Sequence, residues 1–401
     1  MDIDSELSKS LIQVRVSSAH SFAGGGSGLL RKGCYVSKIS GLGTATQGWA
    51  EERLAGGLEV EVAIKCRRDF AHTSAAEDEI KSIQREIRVW RSLRHPNITP
   101  YLGIWLDPAD ERQIPCPVSI FYANGNVSQY LRNNPNADRL WLLVGSGAGI
   151  DFIHLLGVIH GDIKSLNILV DDQGNARICD FGVSQILGKR GFTTYNLKGT
   201  FLYMAPELLV SPIGGETFQP TKHSDIWSLG MTTLEISTGI RPFCGMTEPQ
   251  AIVAISRGET PARPTHNAVH DDCFWLLLCM CWKENPGARP SSRVVSLFFD
   301  LYYAIQQVDR FGINSTKHSE PRFKGLLNTL LPILVEGTIF GKEELVPIGP
   351  YRCKWPACGL FFYSIQDCIK HELGALCRLA EICDCSDKAF SDILCTFTCS
   401  K

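Results

Sequence analysis

The chain has 401 residues, with 40 Lys and Arg against 42 Asp and Glu, a formal net charge of −2 at pH 7. That length holds one large domain and a smaller module, and the near-neutral balance gives no electrostatic drive toward nucleic acid or a membrane as main partner. No run approaches the ~18 apolar residues of a membrane span, and Met1-Asp2-Ile3-Asp4 lacks the charged-then-apolar pattern of a signal peptide. An intracellular protein is therefore expected, cytoplasmic or nuclear.

In chain order, residues 1–30 include Gly24-Gly25-Gly26-Ser27-Gly28 and read as a flexible lead-in. From about Gly33 to Ile64 short strand-like runs alternate with Gly-rich turns, and Val60-Glu61-Val62-Ala63-Ile64 alternates with period two, as a strand does. Residues 77–94 set Ile80, Ile83, Ile87 and Trp90 at helical spacing. After Pro117 a strand and a turn lead into a mostly helical region. Its last helix is expected from Ser292 to about Gln307, with Val294, Val295, Phe298, Phe299 and Tyr302 on its apolar face. Residues 308–350 carry no strong period and read as a linker with one apolar patch, from Leu326 to Val335.

The chemistry is densest in His160-Gly161-Asp162-Ile163-Lys164-Ser165-Leu166-Asn167, which runs into the apolar Ile168-Leu169-Val170 and then, ten residues on, Asp180-Phe181-Gly182. Phosphoryl transfer needs one carboxylate to orient the attacking hydroxyl, and an amide and a second carboxylate to hold Mg²⁺ on the phosphates. Upstream, Val62-Ala63-Ile64-Lys65 ends a strand in a Lys, and Glu86 stands on the amphipathic helix. Downstream come Gly199-Thr200, Ala205-Pro206-Glu207, His223-Ser224-Asp225-Ile226-Trp227 and Cys281-Trp282 before Arg289. Taken together, roughly residues 33–306 resemble the eukaryotic protein kinases, and within them the tyrosine-kinase-like Ser/Thr group.

The resemblance implies an α+β, two-lobed kinase fold over residues 31–307, with a small β-rich lobe followed by a large helical one. It implies ATP and Mg²⁺ as cofactors and proteins as substrates. Asp162 would be the catalytic base, Lys164 would neutralise the transferring phosphate, and Asn167 and Asp180 would ligate Mg²⁺. Lys65, held by Glu86, would meet the α- and β-phosphates. Alone, that Lys and that Glu would read as ordinary solvated side chains. Ser119, Ile120 and Tyr122 resemble the hinge that receives adenine, with the small Ser119 leaving the space behind the ring open. His160 is expected to bond backbone near Phe181 rather than to act as an acid or base.

Two departures stand out. Gly41-Leu42-Gly43-Thr44-Ala45-Thr46-Gln47-Gly48 keeps Gly41 and Gly43 of the phosphate-covering Gly-rich loop but has Thr46 in place of the third glycine. A second register, with Gln47-Gly48-Trp49-Ala50 at the loop tip, stays open. Gly161 stands where the family usually has Arg beside the catalytic Asp. That removes the positive charge an activation-loop phosphate would neutralise.

Sixteen cysteines divide evenly: eight scattered through residues 34–281 and eight between Cys353 and Cys399. In a reducing compartment such a cluster reads as metal-binding rather than disulfide-forming. Cys353, Cys358, His371 and Cys377 follow Cys-x4-Cys-x12-His-x5-Cys, which resembles a ββα zinc finger with Cys as its last ligand. Three thiolates and an imidazole suit tetrahedral, structural Zn²⁺. Cys383, Cys385, Cys395 and Cys399 match no family pattern. Residues 351–401 carry six basic against six acidic side chains, so the finger lacks the excess charge that nucleic-acid affinity requires, and a protein partner is expected instead. Two alternatives to an active kinase remain at this point: a pseudokinase scaffold with a degraded Gly-rich loop, and a zinc-finger-led regulator that binds nucleic acid or protein.

Overall fold

A computed structural model describes residues 10–16, 23–25, 28–38, 59–66, 74–110, 113–182, 185–186, 201–209, 219–264, 272–310, 351–352 and 361–362. The chain divides into two units, Met1–His270 and Asp271–Lys401.

The first unit begins with an antiparallel sheet of six strands: β1 (Ile12–Val16), β2 (Ala23–Gly25), β3 (Gly28–Lys38), β4 (Glu61–Cys66), β5 (Tyr101–Leu106) and β6 (Pro115–Ile120). The order across the sheet is β1-β3-β4-β6-β5, and β2 also pairs with β3. On β4, Val62, Ile64 and Cys66 turn inward while Glu61, Ala63 and Lys65 turn to the other face, as a period of two dictates. The inward set packs with Ile12, Tyr35, Val60, Leu102, Trp105, Cys116 and Val118 into one apolar core.

The reading of residues 1–30 as a flexible lead-in is corrected at 10–16, 23–25 and 28–30; the rest of that span lies outside the described residues. The described residues there supply β1, β2 and the start of β3, and Ile12 lies in the core with 1% of its surface exposed. The glycine run misled because glycine marks a hairpin turn as readily as a linker. Gly25 pairs with Gly28, and Ala23 with Leu30, across a tight hairpin.

Helix α1 (Ser74–Ser92) lays Ile83, Ile87 and Trp90 inward, and Glu86 shares that buried face. Helix α2 (Val127–Asn133) opens on a reciprocal capping box: Gln129 N–H donates to Asn126 Oδ1 and Asn126 N–H to Gln129 Oε1. Helix α3 (Arg139–Leu155) is capped by Asp138 and contains Gly145-Ser146-Gly147-Ala148-Gly149. Mid-helix glycine costs ~1 kcal/mol against alanine. The reason for it is close approach: a Cβ on Gly149 would lie 2.5 Å from Ile178 Cδ1, and one on Gly145 would lie 2.6 Å from Asn97 Nδ2. Strand β7 (Val158–Ile159) pairs with β10 (Gln185–Ile186), and β8 (Ile168–Val170) with β9 (Ala176–Ile178). After the short α4 (Pro206–Leu209), helix α5 (Lys222–Thr238) is buried nearly all round, from Ser224 to Ser237. It starts on a Thr221–Ser224 capping box and stops at Gly239, whose φ of 75° is the left-handed C-cap. Helix α6 (Glu248–Ser256) follows.

In the second unit, α7 (Asp272–Cys281) and α8 (Ser292–Arg310) pack through an aromatic cluster of Phe274, Phe298, Phe299 and Tyr302, with ring centroids 5.4–6.3 Å apart. The buried Arg289 donates to the Lys283 and Glu284 carbonyls. Farther on, β11 (Tyr351–Arg352) and β12 (Phe361–Phe362) form a two-stranded antiparallel ladder. The apolar patch from Leu326 to Val335 lies outside the described residues.

Because Ile12 is a core residue, Ile12→Ala should lower stability by ~3 kcal/mol. Urea unfolding would read this as a lower midpoint at unchanged slope. A flexible lead-in would give no shift.

Candidate active site

Four segments converge on one constellation. Strand β4 aims Lys65 away from the sheet core, and its Nζ donates to Glu86 Oε1 on α1 at 2.8 Å and to Asp180 Oδ1 at 2.6 Å. Asp180 lies just past β9, and the β8–β9 hairpin explains its position. Ile168 pairs with Ile178, and Cys179 N–H donates to Asn167 O at 3.0 Å, so Asn167 and Asp180 leave the open end of one ladder together. Asp180 has φ of 65°, in the left-handed region that only a few non-glycine residues adopt. Burial alone would push its carboxyl up, but the Lys65 ammonium and the Gly182 N–H hold it well below the usual carboxylate range. It therefore keeps its negative charge throughout the neutral pH range. Gly182 is required by close approach: a Cβ there would lie 3.1 Å from Asp180 Oδ1, 3.2 Å from Glu86 Oε2 and 3.4 Å from Lys65 Nζ.

The second half of the site is the loop after β7. Asp162 Oδ2 accepts from Lys164 Nζ at 2.7 Å and from Asn167 Nδ2 at 2.9 Å. Asp162 Oδ1, although buried, has no hydrogen-bond partner among the described residues. The Asn167 amide nitrogen is spent on Asp162, donating also to its carbonyl at 2.8 Å, which leaves the amide oxygen for other use. His160 is engaged at both ring nitrogens. Asp162 N–H donates to Nδ1 at 3.2 Å, so Nε2 carries the proton and donates to Cys179 O at 3.1 Å. The His160 ring also packs on Phe181, which is fully buried and reaches Trp90 of α1.

Asp225, in the first turn of α5, holds this loop from beneath. Its carboxylate accepts from His160 N–H and Gly161 N–H, each at 2.8 Å, and from His154 Nε2 at 2.9 Å. Gly161 has φ of 79°. Glycine adopts that conformation without strain, whereas a side chain at this position would not.

Beside β4, Ser119 is buried on β6, and Val62 pairs with Ile120 across the ladder. Ile120 and Tyr122 are half-buried, and burial pushes the Tyr122 phenol above its usual range. The turn that follows is tied to β8: Asn124 Nδ2 donates to Asp171 O, and Val170 N–H to Gly125 O.

Gly41 and Gly43 lie outside the described residues, as do Cys353, Cys358, His371 and Cys377. The sheet brings forward a segment that sequence reasoning passed over. One of the two strands bonded to Lys65's strand is β3, with Leu30 opposite Lys65 and Lys32 opposite Ala63. Its hairpin with β2 spells Ala23-x-Gly25-x-x-Gly28-x-Leu30. That is the glycine spacing of a phosphate-covering loop with Ala first and Leu last. That spacing stands in the sequence beside the candidate pair Gly41 and Gly43, which lies outside the described residues. Among the described residues no group of three or more His, Cys, Asp or Glu forms a metal cage. A Mg²⁺ ion does not need one, because one or two carboxylates and substrate phosphates suffice. The Asp180 carboxylate and the free Asn167 oxygen fit such an ion. No helix among these residues is long and apolar enough to cross a membrane.

Residues 38–298 match the protein kinase domain model. The chain is 28% identical over 266 residues to a serine/threonine/tyrosine-protein kinase, HT1, of Arabidopsis thaliana, covering 64% of each chain. It is 30% identical over 221 residues to the serine/threonine-protein kinase Tao of Drosophila melanogaster, covering 54% of this chain and 20% of that one. To mitogen-activated protein kinase kinase kinase A of Dictyostelium discoideum it is 32% identical over 221 residues, covering 53% and 22%. The matched stretch thus spans less than two thirds of each of these relatives.

The two glycine-rich segments make opposite predictions. Gly28→Val should weaken binding of a non-hydrolysable ATP analogue with Mg²⁺ at least tenfold by calorimetry, and Gly43→Val should leave it within twofold. The reverse order would return the loop to residues 41–48.

Proposed function

The chain belongs to the protein kinase family, and from that premise we propose that it is an ATP- and Mg²⁺-dependent Ser/Thr kinase acting on protein substrates in signalling. One observation carries the proposal. Asp162 has one oxygen fastened by Lys164 and Asn167 while the other is buried and without a partner among the described residues. A carboxylate so held can accept the proton of a substrate hydroxyl without moving. Lys164, already beside it, meets the charge that develops on the transferred group. Lys65, fixed by Glu86, offers its ammonium to the nucleotide's phosphates. Bound Mg²⁺ would offset phosphate charge through oxygen ligands on Asp180 and Asn167. His160, with both nitrogens engaged, serves to position Asp162. Lys164, two residues after the acid, and Gly199-Thr200 before Ala205-Pro206-Glu207 resemble the Ser/Thr pattern.

For the tail, the β11–β12 ladder brackets the segment that contains Cys353 and Cys358, with Arg352 opposite Phe361. That pairing supports a ββα module in which Cys353, Cys358, His371 and Cys377 hold one structural Zn²⁺. A protein partner suits its balanced charge.

Purified chain supplied with Mg²⁺ and labelled ATP should phosphorylate itself or a generic Ser/Thr substrate. Asp162→Asn should lower the rate at least ~100-fold without shifting the melting temperature, and Asp180→Asn should remove the Mg²⁺-dependent nucleotide thermal shift. Wild-type protein with neither phosphorylation nor a thermal shift would favour the pseudokinase scaffold.

Gly161 removes the cation that a loop phosphate would neutralise, so activity should not depend on that phosphate. Replacing Thr193, Thr194 and Tyr195 together by Ala, Ala and Phe should change the rate less than ~10-fold. A hundredfold loss, ~3 kcal/mol of barrier, would overturn this.

Full-length protein purified without chelator should contain one zinc per chain by metal analysis, and Cys353→Ser should release it while sparing nucleotide affinity. Zinc-free wild type would leave the tail merely cysteine-rich.

A further inference from the structure

Two thiols face each other in the sheet of the first unit, on the side away from Lys65. Cys66 is the last residue of β4 and Cys116 the second of β6. These strands run antiparallel with Ile64 opposite Val118, and the same register carried two residues further sets Cys66 opposite Cys116. Period two puts both on the face of Val62, Ile64 and Val118, and both belong to the apolar core. They are free thiols, 8% and 5% exposed. Directly opposed residues in an antiparallel pair have Cα atoms ~4.5 or ~5.5 Å apart, according to the pair type. Both values lie within the ~4.4–6.8 Å that a disulfide spans. No strand has to shift for the bond to form.

The surroundings favour a thiolate within the pair. Arg31, on neighbouring β3, bonds Asp107 at 2.7 Å and acts on both sulfurs. The hydrogen bond from Cys116, with the Arg31 charge behind it, pulls the Cys66 thiol down against the effect of burial. The same bond and burial push the Cys116 thiol up. Cys116 Sγ also lies 3.6 Å from Ile114 O. Two thiols in hydrogen-bond contact, with a guanidinium beside them, form a pair in which one sulfur can ionise while the other keeps its proton.

We propose that Cys66 and Cys116 form a redox-active dithiol that hydroperoxides convert to an intramolecular disulfide. The Cys66 thiolate attacks the terminal oxygen of the hydroperoxide. The O–O bond breaks, the alcohol or water leaves with the proton Cys66 gave up, and Cys66 becomes a sulfenic acid. The Cys116 sulfur then attacks the Cys66 sulfur, and its proton leaves with the hydroxyl as water. Two thiols are oxidised by two electrons and one hydroperoxide is reduced. The new bond fastens the strand of Lys65 to the strand that leads to Ile120 and Tyr122, so oxidation acts on the candidate nucleotide-binding residues through those two strands, from the opposite face of the sheet and without touching a catalytic residue. Intracellular disulfides of this kind are transient and redox-sensing.

The test uses the full chain treated with hydrogen peroxide, capped with N-ethylmaleimide, digested without reduction and read by mass spectrometry. The expected product is a peptide pair linked Cys66–Cys116 that dithiothreitol releases, with a melting temperature that rises on oxidation and returns on reduction. Cys116→Ala and Cys66→Ala should each abolish the linked peptide pair and the reversible rise in melting temperature. The exposed Cys244 serves as an internal control. Recovery of Cys66 and Cys116 as maleimide adducts under conditions that oxidise Cys244, or Cys66 linked to any other cysteine, would overturn the proposal.

Discussion

One ammonium group shared between two carboxylates holds the site together. Lys65 reaches Glu86 and Asp180 at once, across 21 and 115 residues of sequence. Two acids that close would repel, and burial raises the cost of both charges. The cation between them makes the arrangement stable, yet one cation against two anions leaves one negative charge over. A site with that residual charge and an oxygen ligand at hand suits a divalent cation. The same three groups bring together a strand, a helix and the end of the β8–β9 hairpin, so a change in any of them would be felt in the others.

Asp225 has the complementary part on the helical side. Its carboxylate sits in the first turn of α5, where the helix dipole favours negative charge, and takes donors from His154, His160 and Gly161. A helix buried nearly all round is a rigid base, and the loop that carries Asp162 is fastened to it through backbone rather than side chains. Farther along, Tyr203 donates to Glu235 at 2.6 Å and Ser228 to Tyr203 O at 2.7 Å. The segment before α4 is therefore anchored to the same helix.

Glycine is used here for space and for conformation, and each use has its own cause. Gly149 lets α3 lie against Ile178 of β9, Gly182 keeps the Lys65–Asp180 contact uncrowded, and Gly161 takes up a left-handed turn. The run Gly145-Ser146-Gly147-Ala148-Gly149 would by propensity interrupt a helix. It persists because packing against the hairpin outweighs the local cost.

The sequence alone picked out the residues that converge: Asp162, Lys164 and Asn167 at fixed offsets, Asp180-Phe181-Gly182 after a short hairpin, and Lys65 at a strand end were legible because residue type and spacing along one chain encode them. Helix α1 and the face that bears Glu86 were legible for the same reason, through the period of Ile80, Ile83, Ile87 and Trp90. Long-range pairing was not. Whether a glycine run is a linker or a hairpin depends on what its flanking residues bond to, and β3 finds its partner in β4 some thirty residues away. The tertiary structure therefore decided that Ile12 is core, that residues 28–38 form one of the two strands flanking Lys65's strand, and that Cys66 and Cys116 stand opposite each other. Strand register is set by contacts between distant segments, and no local pattern of residues carries it.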